Sequence, residues 1–183
     1  MTQHLNHDEL LATLDDVRNS PTDGGTLELI VQRPAPNERV VLDEGELTQG
    51  EGLSGDSWNV RGSNRTDDGS SHADMQLNIM NSRFLAAIAG SADRMALAGD
   101  QLIVDLDLRE ENLPAWTRLA IGNAVIEVTD QPHAGCSKFT ERFGLEAHRF
   151  VNGEIGSPLN LRGINARVVT PGSIRRGDTI KKI

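Results

Sequence analysis

The sequence contains a single cysteine, Cys136, in 183 residues. One thiol excludes an intramolecular disulfide framework, a zinc knuckle of paired cysteines and a cysteine-ligated iron–sulfur cluster. No run of residues is long and apolar enough for a membrane span. The first residues also lack the basic and apolar regions of a signal peptide. We therefore expect a cytoplasmic protein, kept in a reducing compartment and without a membrane partner.

Several signatures of other protein classes are absent as well. The formal net charge of -9 argues against general nucleic-acid binding, which depends on Lys and Arg neutralising phosphates. There is no glycine-rich nucleotide loop, and no motif for flavin or haem. Any redox chemistry of this chain would therefore need electrons from a separate partner protein.

Charge is distributed unevenly along the chain. Residues 1–135 carry 9 Lys and Arg against 23 Asp and Glu, whereas residues 136–183 carry 9 against 4. The positive excess thus begins at the cysteine. An ordinary solvated surface is one explanation of this excess, and a pocket for a small anion such as a phosphate group is the other.

Short strand-like segments separated by glycine-containing turns dominate the chain. The alternation of apolar and polar residues predicts about eight strands with a few short helices inserted among them. This pattern favours a mainly β fold, a strongly bent antiparallel or mixed β-barrel. A capping box at Asn6 and Glu9 predicts a helix before the Gly24-Gly25 junction. We therefore expect an N-terminal helical extension, residues 1–24, that is dispensable for the fold of a barrel domain spanning residues 25–183.

Cys136 lies where a predicted hairpin gives way to a predicted helix. The hairpin turns at Gly122-Asn123, and Ser137 is a good helix N-cap. A helix N-terminus and the nearby Lys138 would favour the thiolate, the form that attacks electrophiles and binds metals. A lone cysteine can equally be a small buried hydrophobic residue. The polar, glycine-containing loop before it predicts a thiol that is at least partly exposed.

Four segments, taken in order, resemble the MOSC family, which is named for the C-terminal domain of molybdenum cofactor sulfurases. They are GLSGD (52–56), AGDQLIVDLDL (98–108), LPAWTRLAIGNAVIEVTDQPHAGCSKF (113–139) and LRGINARVV with GSIRRGDTI near the C-terminus. The resemblance covers about residues 25–183. The chain departs from the family pattern at Gly99-Asp100-Gln101, where Gly-Glu-Asn is usual, and at Gly135, where proline commonly precedes the cysteine. Glycine in that place predicts a looser loop.

The resemblance implies a function for Cys136. In this family the matching cysteine either ligates molybdenum in a pterin cofactor or carries a persulfide for metal–sulfur centres. Small bacterial members are linked to the reduction of N-hydroxylated compounds, and the sulfurases pair this domain with a pyridoxal-phosphate desulfurase. Expected partners are therefore an electron-transfer protein or such a sulfur donor, and homodimer formation stays open.

The implied cofactor ends in a phosphate, which needs cationic donors. The candidate cofactor-binding residues are Lys138, Arg149, Arg162, Arg167, Asp100 and His133. We expect the three arginines to converge near Cys136. A carrier or binding protein without turnover is the main alternative to an oxidoreductase. A zinc hydrolase using His133, Cys136 and His148, or a Cys–His nucleophilic pair, has suitable residue types but no recognised motif.

Overall fold

Eleven strands and seven helices make up the computed structural model, which describes residues 4–183. The strands are β1 (Gly25–Gln32), β2 (Val40–Leu42), β3 (Glu44–Thr48), β4 (Gly52–Leu53), β5 (Leu77–Asn81), β6 (Leu102–Asp105), β7 (Arg118–Ile121), β8 (Ala124–Val128), β9 (Ile164–Thr170), β10 (Gly172–Arg175) and β11 (Thr179–Lys182). The helices are α1 (His7–Ala12), α2 (Leu14–Arg18), α3 (Trp58–Arg61), α4 (Ser82–Ala89), α5 (Ala92–Met95), α6 (Ser137–Phe143) and α7 (Leu145–Asn152). Short 3-10 turns span Ala73–Met75 and Ala96–Ala98.

The main sheet closes on itself as a barrel. Its strand order is β11-β7-β8-β9-β5-β6-β1, and pairing of β1 with β11 completes a ring of seven strands. Among the described strands, β5 and β6 form the parallel pair and the other neighbours are antiparallel. β2 pairs with β1, and β10-β3-β4 form a separate small sheet. The prediction of a mainly β, mixed barrel with short inserted helices is confirmed.

Local turn chemistry explains two features of this arrangement. The predicted hairpin is present, with Ile121 opposite Ala124 across the Gly122-Asn123 turn. Residues 40–48 form two strands, β2 and β3, which are separated at Asp43, and Gly45 lies inside β3. A Cβ on Gly45 would lie 2.8 Å from Leu53 Cδ1. Glycine at this position therefore favours close packing of β3 on β4.

Two apolar clusters hold the fold together. One fills the barrel with side chains from its strands, including Leu27, Ile30, Leu77, Leu102 and Ile126. The other lies between the barrel wall and the helices, and includes Leu10, Phe84, Phe139, Phe143 and Phe150. The second cluster fixes α6 and α7, and therefore the region of Cys136, against the barrel.

No helix within residues 4–183 is long and apolar enough to cross a membrane.

The N-terminal helices belong to this second cluster. The predicted capping box is present, because Asn6 Oδ1 accepts from Glu9 N and Asn6 N donates to Glu9 Oε2. α1 packs on α7 and α2 packs on α4. Leu10, Leu14 and Val17 are all buried. This packing argues against the expectation that residues 1–24, of which 1–3 lie outside the described residues, are dispensable.

Leu10→Ala tests this packing. Leu10 is 0% exposed, so its truncation should lower the free energy of unfolding by about 2–5 kcal/mol through lost burial and a cavity. Leu11, on the same helix, is 38% exposed, and Leu11→Ala should change stability by only about 0.5 kcal/mol. Urea unfolding of both variants measures the difference. Equally small effects would show that α1 is peripheral.

Candidate functional site

Cys136 is the N-cap residue of α6 and is exposed. Its carbonyl accepts from Phe139 N at 3.0 Å and from Thr140 N at 3.1 Å, and its side chain makes no capping hydrogen bond. Phe139 and Phe143 bury the inner face of α6. The sequence placed the cap one residue later, at Ser137. The structure therefore presents the thiol at the start of a helix whose other face is fixed in the core.

A cavity of about 320 Å³ opens beside the start of α6. Four of its lining residues are cationic: Arg33, Arg39, Arg61 and Lys138. The rest of its lining, within residues 4–183, is apolar or neutral: Pro34, Ala35, Pro36, Asn37, Ser57 and Val60. A protein of net charge -9 thus concentrates positive charge at one concave surface, which we call the cationic cavity. Such a field attracts a small anion.

The cationic side chains of this cavity repel one another. Burial lowers the pKa of Arg39, and the charges of Arg142, Arg33 and Arg61 lower it further. Burial and Arg33 lower the pKa of Arg61 in the same way. Arg39 Nε is also buried without a hydrogen-bond partner in the described part of the chain. An anion in the cavity would satisfy this donor and relieve the repulsion.

A buried ion pair fixes the inner wall of the cavity. Arg33 donates from Nε and Nη2 to the two carboxylate oxygens of Asp56, each at 2.8 Å. Its Nη1 donates to Asn78 Oδ1 at 3.0 Å and to Gly99 O at 2.9 Å. Asp56 Oδ1 also accepts from Trp58 N at 2.9 Å, which anchors the start of α3. Asp56 lies behind the lining of the cavity and is already paired with Arg33, and none of the described lining residues is acidic.

The Gly99-Asp100-Gln101 segment joins this wall to the base of α6. Gly99 has φ 81°, and a Cβ there would lie 2.9 Å from Arg39 Nη2. Gln101 Oε1 accepts from Asn78 N at 2.8 Å, and its Nε2 donates to Gln76 O at 2.9 Å. Glycine at position 99 therefore leaves room for Arg39, while Gln101 holds the segment on β5.

Asp100 and Arg162 form a second buried pair beneath α6. Arg162 Nη1 donates to both Asp100 oxygens at 2.8 Å, and the Arg162 guanidinium lies 5.0 Å from the centre of the Phe139 ring. Burial raises the pKa of Asp100, and Arg162 offsets part of that effect. Removing Arg162 would leave a buried carboxylate without its partner, at a cost of about 3–5 kcal/mol. Arg162 therefore supports the site, and its loss would also affect folding.

His133 completes this buried cluster. Its Nδ1 lies 3.6 Å from Asp100 Oδ1, which is too long for a hydrogen bond, and has no partner within residues 4–183. Burial lowers the pKa of His133 well below its ordinary value, and Arg162 and Arg33 lower it further. The ring is therefore neutral at physiological pH.

The other two predicted arginines lie in different surroundings. Arg149 pairs with Glu146 at 3.1 Å on the exposed side of α7. Arg167 pairs with Glu127 at 2.8 Å and Asp74 at 2.9 Å, and its guanidinium lies 5.4 Å from a ring centre of Trp116. Neither arginine lines the cationic cavity. The structure thus places Lys138 at the cavity and Arg162 beneath α6, and it does not bring the three predicted arginines together.

Sequence reasoning missed Arg33, Arg39 and Arg61, the arginines that do line the cavity. All three come from the acidic part of the chain, so the charge count by segments hid them. Arg33 and Arg39 flank the proline-containing corner after β1, and Arg61 closes α3, just after GLSGD. Proximity of Arg61 to that family-like segment was the one available signal.

The zinc alternative finds no support in the geometry. Across residues 4–183 no group of three or more His, Cys, Asp or Glu side chains is placed to hold a metal ion. His133 lies beside Asp100, whereas His148 Nε2 lies 3.1 Å from Gly135 O. The two histidines thus lie in different surroundings and do not converge with Cys136 as a set of ligands.

Comparison with known proteins places this chain in a family. A family model of the MOSC domain matches residues 66–181, more than half of the 183 residues. The chain belongs to the MOSC domain family. The family match includes Asp100, His133, Cys136, Lys138 and Arg162.

Solved structures share the MOSC fold of this chain. YuaD from Bacillus subtilis has a TM-score of 0.60 at 17% identity, with 86% of this chain and 94% of that chain covered. YiiM from Escherichia coli has a TM-score of 0.55 at 20% identity, covering 86% of this chain and 69% of that chain. Identities this low show the fold alone. No curated protein sequence matches the chain.

His133 should make the MOSC domain sensitive to mild acid. The folded state keeps the ring neutral because its pKa is lowered, whereas the unfolded chain takes up a proton as the pH falls through about 6.5. The contribution of His133 to stability is therefore retained above about pH 6.5 and is lost progressively as the pH falls below it. Urea unfolding at about pH 7.5 and about pH 5.5 measures this loss.

His133→Gln is the control, because glutamine does not titrate. The loss of stability of this variant between the two pH values should be smaller than that of the wild type, because residue 133 no longer takes up a proton on unfolding. The same acid sensitivity in both proteins would contradict a buried, neutral His133.

Proposed function

We propose that this MOSC protein binds a molybdenum-pterin cofactor, with Cys136 as the molybdenum ligand and the cationic cavity as the site of the cofactor phosphate. The observation that carries the proposal is the position of an exposed thiol at the start of α6, whose residue Lys138 lines a cavity with three arginines. The MOSC family match supports the choice of ligand.

The residues present fit such a group. A thiolate is a soft ligand suited to a transition metal, and Cys136 is the only thiol in the chain. Arginine holds phosphate with paired, charge-assisted hydrogen bonds, and the buried Nε of Arg39 has no partner among the described residues. The volume of about 320 Å³ falls in the range of small-molecule sites. The donor set and the cavity therefore match a metal-bearing, anionic ligand.

Each residue then has a distinct task. Arg39, Arg61 and Lys138 bind the phosphate, whereas Arg33 stays paired with Asp56 and keeps the wall in place. Asp100, Arg162 and His133 support α6 from the barrel side and act through it rather than on the ligand. Arg149 and Arg167 remain on the surface with their acidic partners.

The proposed reaction is the reduction of an N-hydroxylated compound to the corresponding amine and water. A bound molybdenum centre would supply the two-electron chemistry. The chain has neither a flavin motif nor enough cysteines for an iron–sulfur cluster, so a separate electron-transfer protein delivers the electrons. The role of this chain is to hold the cofactor and to keep the region of Cys136 accessible to substrate and partner.

Metal analysis of protein purified from a host that makes molybdenum cofactor tests the proposal. Wild type should carry molybdenum, and Cys136→Ser should lose it because the oxygen of serine is a poorer ligand for this metal. Arg39→Ala and Arg61→Ala should each bind the cofactor roughly tenfold more weakly through loss of a charge-assisted hydrogen bond. Sulfate at high concentration should compete with the cofactor.

Arg149→Ala is the matched control, since Arg149 pairs only with Glu146 among the described residues. Its molybdenum content should equal that of the wild type. Equal contents in the wild type, Arg39→Ala and Arg61→Ala would remove the cavity from the proposal. Retention of molybdenum by Cys136→Ser would remove the cysteine.

A sulfur carrier is the second candidate, favoured by the exposure of Cys136 and by the lack of a side-chain capping bond on it. An exposed thiolate can take the terminal sulfur of a donor persulfide and pass it on. Incubation with a pyridoxal-phosphate desulfurase and free cysteine should then add one sulfur atom to the wild type and none to Cys136→Ser, as read by intact-protein mass spectrometry. No mass increase in the wild type would exclude this candidate.

A further inference from the structure

The peptide groups around Gly135 are held by side chains of α7. Gly135 N donates to Asn152 Oδ1 at 2.9 Å. Gly135 O accepts from Asn152 Nδ2 at 3.3 Å and lies 3.1 Å from His148 Nε2. Asn152 Nδ2 also lies 3.1 Å from His148 Nε2, so the ring nitrogen either donates to Gly135 O or accepts from Asn152 Nδ2, according to the tautomer of the ring. Both backbone polar groups of the residue directly before Cys136 are therefore bound to one helix.

The contact is also sterically close. A Cβ on Gly135 would lie 3.1 Å from Asn152 Nδ2 and from Val151 Cγ2, and 3.2 Å from His148 Cδ2. These distances are shorter than ordinary van der Waals contact, so a Cβ at this position would displace the side chains of α7 by a few tenths of an ångström. Glycine lets the backbone approach the two polar side chains without that displacement.

The helix that supplies these side chains is itself fixed. Ala147, Phe150 and Val151 of α7 are buried in the outer apolar cluster, and α7 packs on both α1 and α6. The first part of this loop is held by the barrel, because Asn165 Nδ2 donates to Gln131 O and Pro132 O and the His133 side chain is only 12% exposed. Its last part is open to solvent, with Ala134 and Cys136 exposed. The fixed helix α7 thus holds this exposed end of the loop at the residue just before the thiol.

We propose that Asn152 and His148 are positioning residues that fix the Cys136 thiol through Gly135. This proposal rests on the proposed function in one respect: the role of Cys136 as a metal ligand is the reason why its thiol should be fixed. A ligand held in one position loses less conformational freedom when the metal binds. The hydrogen bonds of α7 therefore give this glycine-containing loop the order that its sequence alone would not provide.

The single cysteine allows a direct test, because a nitroxide label attached to the native protein goes to Cys136 only. In the wild type the label should show restricted motion by electron paramagnetic resonance. In Asn152→Leu, which keeps the size of the side chain but removes its hydrogen bonds, and in His148→Leu, the motion should be faster. Asn152→Asp keeps the acceptor for Gly135 N–H and should give an intermediate value.

Asn112→Leu is the matched control for the same change of side chain at another hydrogen-bonded site. Asn112 Nδ2 donates to Asp107 O at 2.8 Å, away from α7. This variant tests whether general destabilisation mobilises the label, and it should leave the label as restricted as in the wild type. Unchanged label motion in both Asn152→Leu and His148→Leu, or equal mobilisation in Asn112→Leu, would overturn the proposal.

Amide hydrogen exchange of unlabelled wild type gives a second measurement that does not depend on any variant folding. The Gly135 amide should be protected, because its N–H is bonded to Asn152. Where Asn152→Leu folds, exchange at Gly135 should rise roughly tenfold, the factor expected for one lost hydrogen bond of ordinary strength. An unprotected Gly135 amide in the wild type would overturn the proposal.

These results are separable from those on the cofactor. Label motion and amide exchange are measured on protein without molybdenum, so they report on the loop whether or not a cofactor binds. Loss of molybdenum in Cys136→Ser with no effect of Asn152→Leu on the label would support the cofactor site and reject the positioning role. The converse pattern would do the opposite.

Discussion

The hydrogen bonds of Arg33 are the contacts on which the rest of the site depends. This guanidinium joins β1 to Asp56, to Asn78 on β5 and to Gly99, and it is almost completely buried. A buried charge is tolerated only when it is paired and its donors are satisfied. Three separate segments of the chain must therefore come together correctly before Arg33 can enter the protein interior. The same requirement places the Gly99 segment, and with it Asp100, at a fixed distance from the barrel wall.

A short series of contacts connects the Gly99 segment to α6. Asp100 binds Arg162, and Arg162 lies over the ring of Phe139. The helix that begins after Cys136 is therefore supported by a charged group rather than by apolar packing alone. Asp56 and Asp100 each neutralise one arginine below the surface, while Arg39 and Arg61 above them have no acid among the lining residues of the cavity. The cavity is therefore positively charged because the two buried acids pair with Arg33 and Arg162 and not with Arg39 or Arg61.

Local features of the fold were predictable, because they depend on residues close together in sequence. The hairpin at Gly122-Asn123 and the capping box at Asn6 follow from turn and cap chemistry. The cavity could not be predicted in this way, because it combines residues from the corner after β1, from α3 and from α6. The capping box predicts α1, but the helix on which α1 packs, α7, comes much later in the chain. The sequence alone therefore favours an N-terminal extension over a packed element. Gly135 was expected to loosen its loop, and the compensating hydrogen bonds come from a helix later in the chain.

Closure of the barrel has a consequence for how the chain folds. β1 is one of the first elements and β11 is the last, yet Gly25 lies opposite Ile180 in the ring. Until β11 has been synthesised, one edge of β7 is unpaired, and the edge of β1 that β2 covers at Ile30–Gln32 is unpaired at Gly25 and Thr26. Such edges can pair with other chains. Contacts between residues this far apart in sequence also form slowly, because a long loop must close first. The nascent polypeptide therefore keeps open strand edges until β11 has been synthesised, and chaperones that cover such edges would protect it most up to that point.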